Sequence, residues 1–467
     1  MENNRGQWGS NLGFLLAAMG SAIGLGNLWG FPYKMGANGG LPFLIIYLVM
    51  VICCGVIVMG IEMAIGRKTN KSPILALADM GKNYKVVGLL GVLSSFLIMG
   101  FYNVLIGYSV RYAVGFFIEI FSPGGGFAGM DGGTFFGAFT GDVGMVVLYT
   151  FITFLICLII VSIGIKGGIE KFNKIGIPAL FVLLIGISIY NFTLPGSFEG
   201  LEFMFTSKGL AIAGTEFNFF RAVRTAGSQT LFSLSLGMGC MITYGSYLSQ
   251  DSNISKNAWI IPAADTLAAV LAGIAIFPAV FAMGQAPNAG PGLLFITMHN
   301  TFTSMGYIGN IVGVLFYLLV IFAGTSSAIS LMEVATSDYI DRSEKKNKPI
   351  SRKKATFLVS LIMFVLSLWV CYDQLGAHSS WLPFAEGSKD ILDLYDFFSE
   401  GLFMPIGSIA MCIIIGWKIG FKWMVEEIEK NGNKFYSKKF FEICIKYITP
   451  ILMTFVLISL AVSFFGK

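Results

Sequence analysis

Two stretches of the chain combine glycine with polar side chains inside otherwise apolar sequence. The first, GSAIGLGNLWGFP, starts at Gly20 and places Asn27 just after Gly24 and Gly26. The second, SLSLGMGCMITYGSY, covers residues 233–247 and places two serines beside two further glycines. Glycine is about 1 kcal/mol less favourable than alanine in a helix. An interrupted helix frees carbonyls for a cation and N–H groups for an anion. Both stretches therefore predict a site for small ions or a zwitterion.

Close helix packing by small residues is the alternative explanation of each stretch alone. The two together, with Asn27, Ser233 and Ser235 at the breaks, favour a transporter's central site, because polar groups within a membrane are costly unless satisfied. An intramembrane enzyme is disfavoured, since His299 and His378 fall in predicted external loops and no catalytic or metal-binding spacing appears. No repeated filter sequence supports a channel.

The elements that must position these residues are membrane spans. Of the 467 residues, 55% are hydrophobic and only 12% are charged, whereas soluble domains have about 25% charged residues. A span needs about 20 mostly apolar residues, and we mark eleven such runs, near 11–33, 41–66, 87–121, 144–164, 175–192, 221–248, 258–284, 307–338, 355–373, 391–417 and 444–465. We therefore predict an all-α integral membrane protein with eleven transmembrane helices in the lipid bilayer.

Lysine and arginine set the orientation of these spans. Most of the 31 basic residues lie near the N-terminus or in the even-numbered loops, so the positive-inside rule places the N-terminus in the cytoplasm of a bacterial inner membrane. The glycine-rich third loop, residues 122–142, is predicted to be irregular and external. No feature predicts a nucleic-acid partner, and the oligomeric state stays open.

Three stretches resemble the motifs of the neurotransmitter:sodium symporter family, in its bacterial amino-acid branch. They are the two above and AGTSSAISLME, which starts at Ala323. The similarity extends from Trp8 through the eleventh span. It implies one membrane domain over residues 1–467 with the leucine-transporter fold. In that fold, inverted repeats at about 8–192 and 215–418 each begin with a broken helix, spans one and six, and an extra helix follows at about 444–465.

The resemblance also implies two sodium sites made of oxygen ligands. The first would use the Ala22 carbonyl, the Asn27 and Ser233 side chains and the carboxylate of the substrate. The second would use carbonyls or hydroxyls of Gly20, Ile23, Ala323, Ser326 and Ser327. Sodium is a hard cation that prefers oxygen, and neutral oxygens bind weakly enough for a transport cycle.

Asp265 is the most informative single charge, near the start of span seven. It is either an acid at the membrane boundary or a ligand of the first sodium site. An ungapped alignment puts Ala264, not Asp265, where many relatives have a sodium-binding asparagine, so the two explanations stay open. Because a fixed carboxylate supplies the charge that bound chloride supplies in chloride-dependent relatives, we predict transport that does not require chloride.

The substrate pocket follows from the same resemblance. Tyr102 matches the family's tyrosine whose hydroxyl holds the substrate carboxylate, although an ordinary aromatic facing the bundle is the alternative. N–H groups of Gly24, Leu25 and Gly26 would face the same carboxylate. The remaining predicted pocket residues are Ala22, Ile98, Phe232, Ser233, Ser235, Met238, Ser327, Ala328 and Leu331. Mere packing is the alternative for each of them.

Gates are predicted at both ends of this pocket. The family usually pairs an arginine at the position of Gly30 with an acid that survives here as Asp396, so the outer ion pair is altered or absent. The predicted inner gate pairs Arg5 with Asp341, near Trp8 and Tyr247. In span five, Gly168 and Pro178 form either a segment that unwinds or a plain proline kink.

Together these residues predict sodium-coupled symport of a small-molecule substrate, a large hydrophobic or aromatic L-amino acid. Met238 favours a bulky side chain because methionine is adaptable. A charged substrate side chain would be unpaired in so apolar a pocket. A carrier of an amine or osmolyte on the same fold is the alternative, and an acid in the pocket would favour the amine.

Overall fold

The computed structural model describes residues 6–207, 209, 217–282, 284, 292–378 and 390–465. These residues form helices joined by turns. In chain order the helices are α1 (Asn11–Ala22), α2 (Gly26–Ala37), α3 (Leu41–Thr69), α4 (Pro73–Met80), α5 (Lys82–Phe121), α6 (Gly132–Gly141), α7 (Val143–Ile163), α8 (Ile165–Asn191), α9 (Phe198–Phe205), α10 (Phe219–Ser233), α11 (Cys240–Gly245), α12 (Ile254–Ala282), α13 (Met298–Ser304), α14 (Gly306–Lys345), α15 (Arg352–Asp373), α16 (Ile391–Lys418), α17 (Phe421–Ile428) and α18 (Lys438–Phe465).

Nine of the described helices are long and apolar enough to cross a membrane, and the bent pair α1–α2 makes a tenth candidate. The predicted sixth span corresponds to α10 and α11, neither of which is long enough alone. The total of eleven spans and the inverted repeat stay predictions. The long helices α5 and α14 pack along each other, and α1 contacts α8, α12 and α14.

Both predicted interruptions are present. Helix α1 ends before Ile23, whose backbone is extended (φ −76°, ψ 100°), and α2 continues at 46° to it. Residues 234–239 separate α10 from α11, and there Ser235, Gly237 and Gly239 have φ of 53°, 76° and 80°. That left-handed region suits glycine and strains serine. A Cβ on Gly237 would lie 2.5 Å from the Met404 carbonyl oxygen, so glycine also permits close approach of α16.

Three local predictions were wrong. The third loop is not irregular throughout, because α6 forms its second half, with the Asp131 carboxylate accepting hydrogen bonds from the first N–H groups. His299 lies in α13, fully buried among aromatic rings that include Phe127 at 4.4 Å, rather than in a loop. Helix α8 begins ten residues earlier than predicted, with a π-helical turn (Ile165–Glu170) that contains Gly168, and Pro178 lies inside the same helix.

Candidate functional site

The break between α1 and α2 is held by hydrogen bonds from two side chains. The Gly24 N–H donates to Asn27 Oδ1 and the Leu25 N–H donates to the Tyr102 hydroxyl oxygen, both at 2.9 Å. A Cβ on Gly24 would overlap the Tyr102 hydroxyl and Ser327 Oγ, so only glycine fits. Two of the three N–H groups predicted to face a substrate carboxylate thus already have partners. A tyrosine hydroxyl that accepts one bond keeps its own hydrogen, so Tyr102 can still donate to a carboxylate.

The Asp265 carboxylate is the centre of a buried polar cluster. Asn27 Nδ2 donates to its Oδ1 at 2.8 Å, the Ser233 hydroxyl lies 3.0 Å from both of its oxygens, and the Tyr47 hydroxyl donates to Oδ2 at 3.3 Å. Asp265 is fully buried within α12. The arrangement supplies one fixed negative charge beside two of the predicted ligands of the first sodium site.

Ala264, the position suggested by the ungapped alignment, is half-buried and does not belong to this cluster. Of the two adjacent positions, Asp265 is therefore the better candidate for a sodium ligand, since adjacent residues on a helix face different directions.

Sequence reasoning missed Tyr47, whose hydroxyl belongs to this cluster. A tyrosine inside the apolar run LPFLIIYLVM was the available signal, because a buried tyrosine hydroxyl normally has a partner.

A second oxygen cluster joins α14 to the α1 end of the break, and it contains all five residues predicted for the second sodium site. Ser326 Oγ lies 2.7 Å from the Ala323 carbonyl oxygen and 3.5 Å from that of Ile23. Ser327 Oγ lies 3.3 Å from the Gly20 carbonyl oxygen. Three carbonyls and two hydroxyls, all neutral and buried, fit the preference of a hard cation such as sodium.

A cavity of about 20 Å³ adjoins both clusters. Its lining consists of small, apolar and hydroxyl-bearing side chains: Ser21, Ala22, Gly24, Gly26, Ile98, Tyr102, Phe232, Ser233, Ser235, Met238, Ser327 and Leu331. The volume is near that of one water molecule, so a bulky side chain enters only if Phe232 or Met238 moves. Methionine can do so at little cost because its side chain is flexible, and the half-buried Phe232 ring borders a larger cavity into which it can turn.

Leu25 is one predicted pocket residue that does not line this cavity, and Ala328 is the other. Ala328 follows Ser327 on α14 and points about 100° away around the helix, whereas Leu331 lies one turn on and shares the face of Ser327. Ser21 is a lining residue that sequence reasoning missed. Its carbonyl oxygen accepts hydrogen bonds from Ser235 Oγ at 2.7 Å and Ser327 Oγ at 3.1 Å, so it links the two broken segments.

On the α2 side, Phe232 separates the small cavity from a larger one of about 450 Å³. Lys34 Nζ forms an ion pair with Glu400 Oε1 at 3.0 Å across this larger cavity and lies 5.9 Å from the Phe232 ring centroid. The predicted gate acid, Asp396, lines the same cavity one turn before Glu400. The positive charge at this end is therefore supplied by Lys34, one helical turn after Gly30. We name the ion pair between Lys34 and Glu400 the outer pair.

On the other side, a largely buried network connects the segment before α1, the C-terminal end of α11 with the residues after it, α14 and α15. Trp8 Nε1 donates to the Tyr244 carbonyl oxygen at 3.0 Å, and its ring packs against Tyr247 at 6.3 Å. The Tyr247 hydroxyl donates to Glu333 Oε1 at 2.7 Å, and Glu333 forms an ion pair with Arg352. We name these five residues the inner network.

Trp8 and Tyr247 therefore lie where the inner gate was predicted, while Glu333 and Arg352 were missed. Asp341, the other predicted gate residue, accepts a hydrogen bond from the Ser72 N–H at 2.7 Å. Arg5 lies outside the described residues, so its pairing with Asp341 stays a prediction.

Comparison with known sequences assigns this architecture to a family. A sequence profile described as the Sodium:neurotransmitter symporter family matches residues 5–121 and 137–466. The chain belongs to this family. It is 34% identical to an uncharacterized sodium-dependent transporter of Methanocaldococcus jannaschii over 91% of this chain and 84% of that protein. It is 30% identical to the uncharacterized sodium-dependent transporter YhdH of Bacillus subtilis, over 97% of each.

A solved structure of the family closely matches the fold. The crystal structure of MhsT in complex with L-phenylalanine has a TM-score of 0.85 and 36% identity, over 98% of this chain and 100% of that one. The chain is accordingly a sodium-dependent, multi-pass membrane symporter of the leucine-transporter fold, and not an enzyme.

Proposed function

We propose that this symporter carries a bulky hydrophobic or aromatic L-amino acid together with two sodium ions, by alternating access. The observation that carries the proposal is the arrangement at the breaks: two oxygen clusters adjoin one cavity, and the Tyr102 hydroxyl lies at that cavity. We further propose that the protein lies in the bacterial inner membrane with its N-terminus in the cytoplasm.

The charges of a zwitterion suit the two ends of this cavity. The Tyr102 hydroxyl hydrogen and the first sodium, held by Ala22, Asn27, Ser233 and Asp265, would bind the carboxylate. Carbonyls freed at the break before α11 would accept hydrogen bonds from the ammonium group. A sodium ion that contacts both Asp265 and the substrate carboxylate couples the two binding events, because each negative charge stabilises the cation.

Selectivity for the substrate side chain would come from Ile98, Phe232, Met238 and Leu331. None of the lining residues carries a charge, so a lysine-like substrate would bury an unpaired ammonium at a cost of several kcal/mol. MhsT, which was crystallised with L-phenylalanine, is a relative of matching fold. An amine without a carboxylate would leave the Tyr102 hydroxyl and the first sodium without their partner.

The fixed carboxylate of Asp265 supports transport without chloride. It lies within hydrogen-bond distance of Asn27 and Ser233, two proposed sodium ligands, so it can offset the sodium charge directly. A mobile anion would then add a second negative charge to a buried cluster, which is unfavourable.

The test is uptake into proteoliposomes that contain the full chain. Radiolabelled phenylalanine, tryptophan, leucine, lysine and phenethylamine are offered with an inward sodium gradient or with choline in its place. We expect sodium-driven uptake of the first three only, unchanged when gluconate replaces chloride. Uptake of phenethylamine in preference to phenylalanine would favour the amine carrier, and uptake without a sodium gradient would contradict the proposal.

A matched pair of variants locates the carboxylate contact. Tyr102→Phe removes a hydroxyl at the cavity, and we expect uptake to fall about tenfold or more, as the loss of a hydrogen bond to a charged group implies. Tyr112→Phe removes a buried hydroxyl of the same helix that has no hydrogen-bond partner in the described part of the chain, and uptake should be unchanged.

A further inference from the structure

Helix α8 carries a buried asparagine next to the second oxygen cluster. Asn173 is fully buried, and its Nδ2 donates to the Ile169 carbonyl oxygen at 2.9 Å. Its Oδ1 has no hydrogen-bond partner within the described residues. A buried acceptor without a partner costs about 1–3 kcal/mol, so an oxygen kept in this position calls for an explanation beyond packing.

The orientation of this amide points to the second oxygen cluster. A Cβ on Gly20 would overlap Asn173 Oδ1 and would lie 3.2 Å from the Cβ of Ser326. The amide oxygen thus lies directly against the backbone of Gly20, on the side that Ser326 approaches. Gly20 and Ser326 both contribute oxygens to that cluster, so Asn173 Oδ1 lies beside two of its residues.

A further oxygen follows one turn earlier on the same helix. Glu170 lies three residues before Asn173, so the two side chains share a face of α8. Glu170 Oε2 accepts a hydrogen bond from the Gly9 N–H at 2.7 Å, and the same carboxylate lies against Gly13 and forms an ion pair with Lys174 at 2.6 Å. The side-chain oxygens of Asn173 and Glu170 therefore lie in a row along the contact between α8 and α1, from the second oxygen cluster toward the N-terminal end of α1.

We propose that Asn173 Oδ1 is a further sodium-binding oxygen, which receives the ion from the Ser326–Ser327 cluster and passes it toward Glu170 as it leaves for the cytoplasm. This inference rests on the proposed function. The hydrogen bond to Ile169 ties the amide to the π-helical turn that contains Gly168. Local unwinding of that turn would release Asn173, so ion release and opening of α8 would occur together.

The experiment compares Asn173→Leu with Asn191→Leu in proteoliposomes. Asn191 is a matched control: it lies in the same helix, is fully buried, donates to one carbonyl oxygen (Ala275, 2.6 Å), and has an Oδ1 without a partner in the described chain. It packs against α12 instead of α1. We expect Asn173→Leu to slow net sodium-coupled uptake about tenfold, equivalent to one lost neutral ligand, and Asn191→Leu to leave uptake per folded molecule within about twofold.

Asn173→Asp keeps an oxygen at the same reach and adds a negative charge. We expect the half-saturating sodium concentration to fall about tenfold while sodium dependence is retained, since a carboxylate is a stronger ligand for a hard cation. This variant also keeps the inference testable if the leucine variant does not fold.

Two results would overturn the role of Asn173 and leave the proposed function standing. One is an unchanged sodium dependence of uptake in both Asn173 variants, and the other is an equal loss of uptake in Asn173→Leu and Asn191→Leu. Absence of sodium-driven amino-acid uptake by the unaltered protein is a different outcome, which would overturn the proposed function itself.

Discussion

The two ends of the central cavity are closed in different ways. The outer pair is a single contact, Lys34 with Glu400, whose side chains are 14% and 9% exposed and which borders a cavity of about 450 Å³. The inner network joins five residues from four separate segments of the chain, and Glu333 at its centre is fully buried. Arg352 of the inner network is itself 26% exposed, so the two ends differ in the number of contacts that must separate together and not in the burial of their ion pairs.

This difference indicates which end should open more easily. The outer end can open by losing one pair and rotating Phe232, and that pair borders the larger cavity. Opening the inner end requires the aromatic contacts of Trp8, the Tyr247 hydrogen bond and the Glu333–Arg352 pair to separate together. The conformation described is therefore stabilised chiefly at its inner end, and changes there should have the larger effects.

The largest effect is expected for Glu333→Gln. The glutamine can still accept the hydrogen bond of Tyr247, but Arg352 loses its counter-charge, which should weaken inner closure by about 3 kcal/mol. We expect faster hydrogen–deuterium exchange in α1 and net uptake reduced about tenfold or more. Glu426→Gln is the control, because its pairing with Lys422 at 3.8 Å is highly exposed. Equal exchange in α1 for both variants would contradict the comparison.

Asp265→Asn should have the next largest effect. It alters the polar cluster beside the central cavity and leaves the outer pair and the inner network unchanged. Removing the charge from a carboxylate that accepts from Asn27, Ser233 and Tyr47 should cost about 2 kcal/mol. We expect the half-saturating sodium concentration to rise about tenfold or more, and uptake to become stimulated by chloride. Hydrogen–deuterium exchange near the outer pair and near the inner network should stay the same. A large increase at either of these places would show that Asp265 also helps to close the cavity.

The outer pair should give a smaller effect. Lys34→Met and Glu400→Gln each remove one partner, and we expect about 1 kcal/mol, or roughly fivefold faster dissociation of bound amino acid. A double-mutant cycle separates the pair from other effects, and the swapped variant Lys34→Glu with Glu400→Lys should recover part of the loss. Effects larger than that of Glu333→Gln would reverse the ranking of the two ends.

Local sequence predicts the centre of the molecule better than its ends. Both breaks follow from glycines whose backbone cost acts within a few residues, and the second oxygen cluster follows from a continuous motif, so both could be anticipated. Ala328 does not line the small cavity although it belongs to the same motif as Ser327, because adjacent helical positions face different directions.

The ends depend on pairs that are distant in the chain. Lys34 and Glu400 are 366 positions apart, and Glu333 reaches Arg352 only because α14 and α15 pack side by side. No local pattern distinguishes such charges from solvated ones, so the sequence showed only that Gly30 could not supply the outer cation. His299 was misplaced for the same reason, since its burial arises from rings on α5 and the segment before α6.

The smallest effect is expected for Trp8→Phe, which tests one contact at the inner end without touching its charges. Phenylalanine can keep the ring contacts with Tyr244 and Tyr247 but loses the hydrogen bond from Nε1 to the Tyr244 carbonyl, worth about 1 kcal/mol or less. We expect hydrogen–deuterium exchange in α1 to rise about threefold, in the direction seen for Glu333→Gln. If the rise instead equals that of Glu333→Gln, aromatic packing rather than the buried charge pair holds the inner end closed.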